Sequence, residues 1–219
     1  MASTFFGLHI GSSALSSFQV ATNTTANNIA NVKTTGYTRQ EATLQAKDAI
    51  NVTARYGSVG TGVTVTSIKQ QRDLYYDNKY WENNSCYGRY EQKLYYMEQI
   101  QNYFKDNGSS VKGFSSVFSQ MFSDLDTLRS KPSDKTVRNQ FISSAQSLCT
   151  YFNQMSDNLS KLQDDCNEEI RNNVDKINSI SEKISLLNKE INQIETGTGV
   201  EASSLRDERA NLIDSLSKI

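Results

Sequence analysis

Histidine is the side chain most often recruited for proton transfer near neutral pH, and this chain of 219 residues has one, His9. No carboxylate or nucleophile is spaced to serve it, so no catalytic role is expected. Cys86, Cys149 and Cys166 are an odd set without CxxC spacing. That argues against a disulfide framework or a zinc site, and for thiols buried on helix faces. Asp164, Asp165, Glu168 and Glu169 could in principle gather a cation, but Lys and Arg interleave with them in the manner of a solvated helix face. The run GSVGTG, Gly57 to Gly62, has the glycines of a phosphate loop. A true phosphate loop passes from strand into helix and carries GK[ST], whereas here a strand-like stretch follows. Asn-x-Ser/Thr triplets such as Asn51 to Thr53 arise by chance in a chain so rich in these residues. Catalytic, cofactor-binding and metal-binding residues are therefore all expected to be absent.

Composition points the same way. A net charge of -1 and a pI near 5.9 leave no basic face for nucleic acid. No apolar run approaches the roughly 18 residues of a membrane span, and MASTFFGLHIGSSALSS lacks the basic start of a cleaved secretory signal. One proline and 11 glycines leave few helix breakers, so the expected fold is mainly α, built of long coiled-coil-like helices.

The elements follow from spacing. Leu8, Leu15, Phe18, Thr22, Thr25, Ile29 and Val32 recur at threes and fours after an initial seven, a heptad stripe with threonine at its centre. Such a helix is marginal alone in water and should order when another helix covers it. After Gly36 the period changes to two: YTRQEATLQA and VTVTSIKQQ read as strands of a small hairpin joined through the glycine run. From about Asp73 the helical period returns, with Tyr76, Tyr80, Tyr87, Tyr90, Leu94, Met97 and Phe104 as a helix-packing stripe and Asn107 and Gly108 as its stop. A shorter amphipathic helix from Phe114 to Leu128 ends before Pro132. Ser133 or Asp134 caps a longer helix of roughly 60 residues, about 90 Å at ~1.5 Å per residue. Its stripe runs from Leu148 to Ile194 and slips near Ile170 and Val174. Thr196 to Gly199 break it, and Leu205, Leu212, Leu216 and Ile219 return along an antiparallel helix.

One local feature resists this account. The first helix ends in ANNIANVKTTGYTRQ, Ala26 to Gln40, where Gly36 supplies the left-handed stop. Asn27, Asn28 and Asn31 lie before that stop, where amides compete with the helix backbone, so they need a partner.

Ala26 to Gln40, preceded by the heptad helix, resembles the N-terminal motif of the bacterial flagellar rod, hook and hook-associated proteins. GTGVTVTSIKQQRD (Gly60 to Asp73), the SKPSD junction and SSLRDERANLIDSLSKI (Ser203 to Ile219) look, in this order, like the hook-associated members that join hook to filament. The resemblance implies a structural subunit with no reaction. It divides the chain into an axial inner-tube helix (1–36), a hairpin-like insert (37–72) and an elongated helical bundle (73–219). It further implies export through the flagellar type III channel without a cleaved signal, and an extracellular place in the flagellum. The implied partners are neighbouring copies in a ring, the hook protein, the next hook-associated protein and an export chaperone. Leu15, Phe18, Asn27, Asn28, Ile29, Ala30, Asn31, Thr35, Gly36 and Tyr37 would form the subunit interface, with the amides facing neighbours. In the family the axial helix pairs with a C-terminal helix of the same chain, so residues before about Asn31 are expected to be mobile or to borrow a partner here. Alternatives are a distal rod or hook subunit, or a secreted helical binding module or adhesin.

Overall fold

A computed structural model describes residues 5–51, 57–106 and 113–219. The protein is mainly α. Along the described residues run α1 (Phe6–Ala30), β1 (Gln40–Ala46), β2 (Ile50–Asn51), β3 (Ser58–Val59), β4 (Val63–Gln70), α2 (Leu74–Tyr103), α3 (Phe114–Ser130), α4 (Lys135–Thr198) and α5 (Ser203–Ser217). The expected stop at Asn107 and Gly108 lies outside the described residues. Residues Met1–Ser85 with Ile177–Ile219 form one compact unit and Cys86–Lys176 another.

In the first unit, β1 and β4 pair antiparallel, with a register shift between Thr43 and Leu44. β4 has one residue more than β1 at that shift, and the Thr66 hydroxyl donates to the Thr43 carbonyl there. The ladder thus keeps its polar groups bonded. β2 and β3 form a second, shorter pair. Asp73 caps α2 by accepting the Tyr75 N–H at 2.9 Å, and Gly199 ends α4 with a left-handed φ of 69°. α5 runs antiparallel to the end of α4, since Arg206 meets Glu195 whereas Arg209 meets Asn188. Ile180, Leu187 and Ile191 of α4 bury their side chains, as do Ala202 and Ala210, which makes a narrow core. Trp81 and Asn84 of α2 fasten to α5: the indole N–H donates to Asp214 at 2.7 Å, and the amide reaches the Asp214 carbonyl and the Ser217 hydroxyl.

Arg206 also closes the turn between α4 and α5. Its guanidinium donates twice to Glu195, at 2.7 and 2.8 Å, and Glu195 additionally accepts the Ala202 N–H at 3.1 Å. These bonds, those from Arg206 foremost, hold the Glu195 carboxyl down to about 2 from its ordinary 4.5. A depressed carboxylate contributes stability above its unfolded pKa and loses it as the proton returns. Equilibrium urea midpoints of the parent and of Arg206→Gln are therefore expected to differ most above about pH 4.5. The gap should narrow as pH falls toward 2, and a constant gap would show that the pair does not tie the turn.

In the second unit, Asp134 caps α4 by accepting the Thr136 N–H at 2.8 Å, so of the two expected caps Asp134 is the one used. Met155 and Leu162 of α4 are its buried apolar residues. Phe114 and Phe118 of α3 stack on each other, and Phe114 also meets Tyr151 and Phe152 of α4. The Tyr151 hydroxyl is buried there without a hydrogen-bond partner. Glu169 of α4 accepts bonds from Gln92 and Tyr96 of α2, and the bond to Glu169, more than burial, raises the Tyr96 pKa. Helix α4 is continuous through the slip in its stripe, and Ile170 and Val174 are exposed there.

Two expectations need correcting. Cys86 and Cys149 are exposed and Cys166 is half-buried, so the thiols are not a buried set. Cys166 lies beside Tyr96 of α2 and is only partly covered. The tyrosine stripe of α2, from Tyr76 to Phe104, is also exposed rather than packed. Within each unit α2 turns another face inward: Trp81 and Asn84 in the first, Gly88, Gln92 and Tyr96 in the second. The chosen face is the polar one because its amides, indole and phenol find specific acceptors.

Candidate functional site

Helix α1 contains no Asp, Glu, Lys or Arg, although the chain carries 23 basic and 24 acidic residues. Its inward face carries small polar residues, Ser13, Ser17, Thr24 and Asn28, spaced four, seven and four apart and therefore on one side, with Ile10, Ala14 and Ala21 half-buried among them. Ser17 and Thr24 are buried, and the Ser17 hydroxyl donates to the Val63 carbonyl of β4 at 3.2 Å. The approach is close, because a Cβ on Gly62 would fall 2.3 Å from the Ser13 hydroxyl oxygen. The apolar stripe points the other way: Leu15 is 72%, Phe18 58%, Ile29 69% and Val32 75% exposed. Exposed apolar residues thus line one side of a helix that has no Asp, Glu, Lys or Arg.

The asparagines have partners inside the chain. Asn28 Oδ1 accepts the Tyr37 hydroxyl at 2.8 Å and the Gln40 N–H at 2.9 Å, while its Nδ2 donates to the Gln40 carbonyl at 2.8 Å. Asn27 Nδ2 donates to the Tyr37 hydroxyl oxygen at 3.1 Å. Asn31 Nδ2 donates to both the carbonyl and Oδ1 of Asn27, and the Thr34 hydroxyl donates to Asn31 Oδ1. Asn27, Asn28, Asn31 and Tyr37 thus come together in one network, whereas Ala30 and Thr35 stay exposed beside it. Leu15, Phe18 and Ile29 lie on the open stripe. A groove of about 630 Å³ separates Ile29 and Val32 from β1.

The next residues join this network to α5. Asp207, buried, accepts the Thr38 N–H on Oδ2 at 3.3 Å and Gln70 Nε2 on Oδ1 at 2.8 Å. Burial, then the charge of Asp207, raises the Tyr37 pKa above its ordinary 10.0. The phenol therefore stays a donor to Asn28 through the neutral range. Gly36 has a φ of 77°, and a Cβ there would lie 1.8 Å from Asn211 Oδ1. Gly36→Ala is expected to cost about 1–3 kcal/mol in urea denaturation, from left-handed strain plus displacement of Asn211. An unchanged midpoint would show that this contact yields freely.

Asp207, Gln70 and Asn211 escaped the reading of the sequence. The signal for Asp207 and Asn211 lies in the polar residues of SSLRDERANLIDSLSKI that fall on an inward helix face, and that for Gln70 in the polar end of VTVTSIKQ, but local spacing cannot name their partners. No group of three or more His, Cys, Asp or Glu among the described residues could hold a metal ion.

Residues 97–219 match the family described as the flagellar hook-associated protein FlgK helical domain, and residues 8–38 match that of the flagella basal body rod protein. The chain is 34% identical over its whole length to flagellar hook-associated protein 1 of Bacillus subtilis strain 168, and covers 44% of that protein. It is 33% identical to the protein of the same name from Salmonella typhimurium and 31% to that from Escherichia coli K12, with 94% of this chain and 37% of each relative covered. It therefore spans less than half the length of these relatives. The rod-protein match falls on α1 and the asparagine network, and the helical-domain match on the end of α2 and all that follows. The chain thus belongs to the FlgK family of flagellar hook-associated proteins, whose members are structural components of the flagellum and not enzymes.

Proposed function

We propose that this chain is a subunit that joins hook to filament and self-assembles along the flagellar axis through α1. The observation that supports this reading best is the outward apolar stripe on an uncharged helix whose polar face is already occupied. Leu15, Phe18 and Ile29 meet helices of the axial structure, while Asn27, Asn28, Asn31, Gly36 and Tyr37 shape the end of α1, and Ala30 and Thr35 border the contact. Neighbouring copies in a ring, the hook protein and the next hook-associated protein are the partners, with an export chaperone before assembly. The subunit leaves through the type III channel without a cleaved signal and ends outside the cell.

The physics suits growth at a tip. No α1 side chain belongs to the buried apolar core, so water and the hairpin hold the helix only weakly. Covering its stripe completes folding at the site of incorporation and disfavours growth elsewhere. The match of residues 8–38 to rod proteins favours a second reading, a distal rod or hook subunit.

An in-frame deletion in the source bacterium separates the two. Electron microscopy is expected to show bare hooks, with flagellin lost to the medium. Cells without hooks would favour the rod or hook reading, and normal flagella would defeat both.

A further inference from the structure

We propose that Asn28 is the positioning residue that fixes the angle at which α1 lies on the hairpin; this rests on the assembly reading above. The apolar residues on or beside the inward side of α1, Ile10, Ala14, Val20 and Ala21, are only half-buried, and hydrophobic burial is non-directional, so burial by itself does not fix the angle of the helix. Hydrogen bonds are directional. Asn28 gives Gln40 the two-bond exchange that a residue of a neighbouring strand would give, accepting its N–H and donating to its carbonyl. A primary amide can do this because it carries the same donor and acceptor as a peptide group. Asp lacks the donor and Ser cannot span both atoms. The Tyr37 hydroxyl takes the second acceptor position of Asn28 Oδ1 and holds the amide plane.

A second fixed point makes the pair an axis. Ser17 bonds to Val63, whose strand partner is Ala46 at the far end of β1, whereas Asn28 bonds to Gln40 at the near end. Ser17 and Asn28 lie about 16 Å apart along the helix. Two directional contacts at that separation set the direction of α1 against the sheet, and hence where its stripe points. Repeating subunits need that direction to be the same in each copy, since heterologous contacts propagate any angular error.

The test uses the 219-residue chain with its three cysteines replaced by Ser. Spin labels at Gln19→Cys and Lys69→Cys, both exposed, report the distance from α1 to β4 by pulsed electron resonance. The parent should give one narrow distribution. Asn28→Ala should broaden it on the order of twofold. Asn28→Gln, with the same groups on a longer stem, should displace its mean while leaving thermal unfolding of the remaining helices unchanged. A distribution in either variant identical to the parent's overturns the proposal, as does a parent already broad. The deletion phenotype does not depend on Asn28, so such a result would leave the assembly reading standing.

Discussion

Replacing Ile29 with Asp is expected to abolish filament attachment while leaving the folded chain as stable as its parent. Ile29 is 69% exposed, so its side chain contributes little to folding and the change should stay within about 0.5 kcal/mol in urea denaturation. On the assembly proposed above, the same position becomes covered. A carboxylate would then lose its water without a partner, since α1 itself has no basic residue to pair with it. The penalty of several kcal/mol per ion would recur in every subunit of the proposed assembly. Motility and electron microscopy of cells expressing Ile29→Asp check the first half, and denaturation of the purified chain the second. Attached filaments in this variant would place the assembly contact elsewhere. A large loss of stability would mean that the stripe already has a partner within the chain.

Asp207→Ala should produce the largest loss of stability, about 1–3 kcal/mol, because it removes a buried acceptor shared by the Thr38 N–H and the Gln70 amide. The Thr38 N–H and one N–H of the Gln70 amide end on its carboxylate, while Gln70 Nε2 also donates to the Ser203 carbonyl at 2.9 Å, so the backbone donor of Thr38 loses the more. Asp207→Asn offers one carbonyl oxygen and turns an amide toward the second donor, so roughly half of the loss is expected. Urea midpoints of the three proteins check the order, and an alanine variant as stable as the parent would show that α5 is held by other contacts. Because Thr38 follows the asparagine network directly, amide exchange should also quicken at Gln40 in Asp207→Ala.

Much of the fold was legible. The change of period after Gly36 located the hairpin, the one proline ended α3, and the heptads of α4 marked a helix that is indeed unbroken for 64 residues. The ends of α4 were legible too, since Asp134 and Gly199 act through backbone chemistry within a few residues. What could not be read was the direction of each apolar stripe. In α2 periodicity showed which residues share a side, and the natural inference was that the apolar side packs inward. That helix does the reverse within this chain, whereas the stripe of α1 was expected to await a partner and is exposed. The polar face of α2 holds partners far away in sequence: Trp81 meets Asp214 and Tyr96 meets Glu169. The three asparagines are the sharpest instance, because an amide's chemistry demands a partner without saying whether it lies in the same chain.

The sequence by itself determined the elements, the uncharged apolar helix and the family, because these depend on local spacing, composition and motif. Only the tertiary structure decided which face each helix buries, that Asn28 pairs with Gln40, and that Asp207 ties α5 to the hairpin. Those outcomes rest on hydrogen bonds whose partners stand up to 169 residues apart, and spacing along the chain carries no record of such meetings.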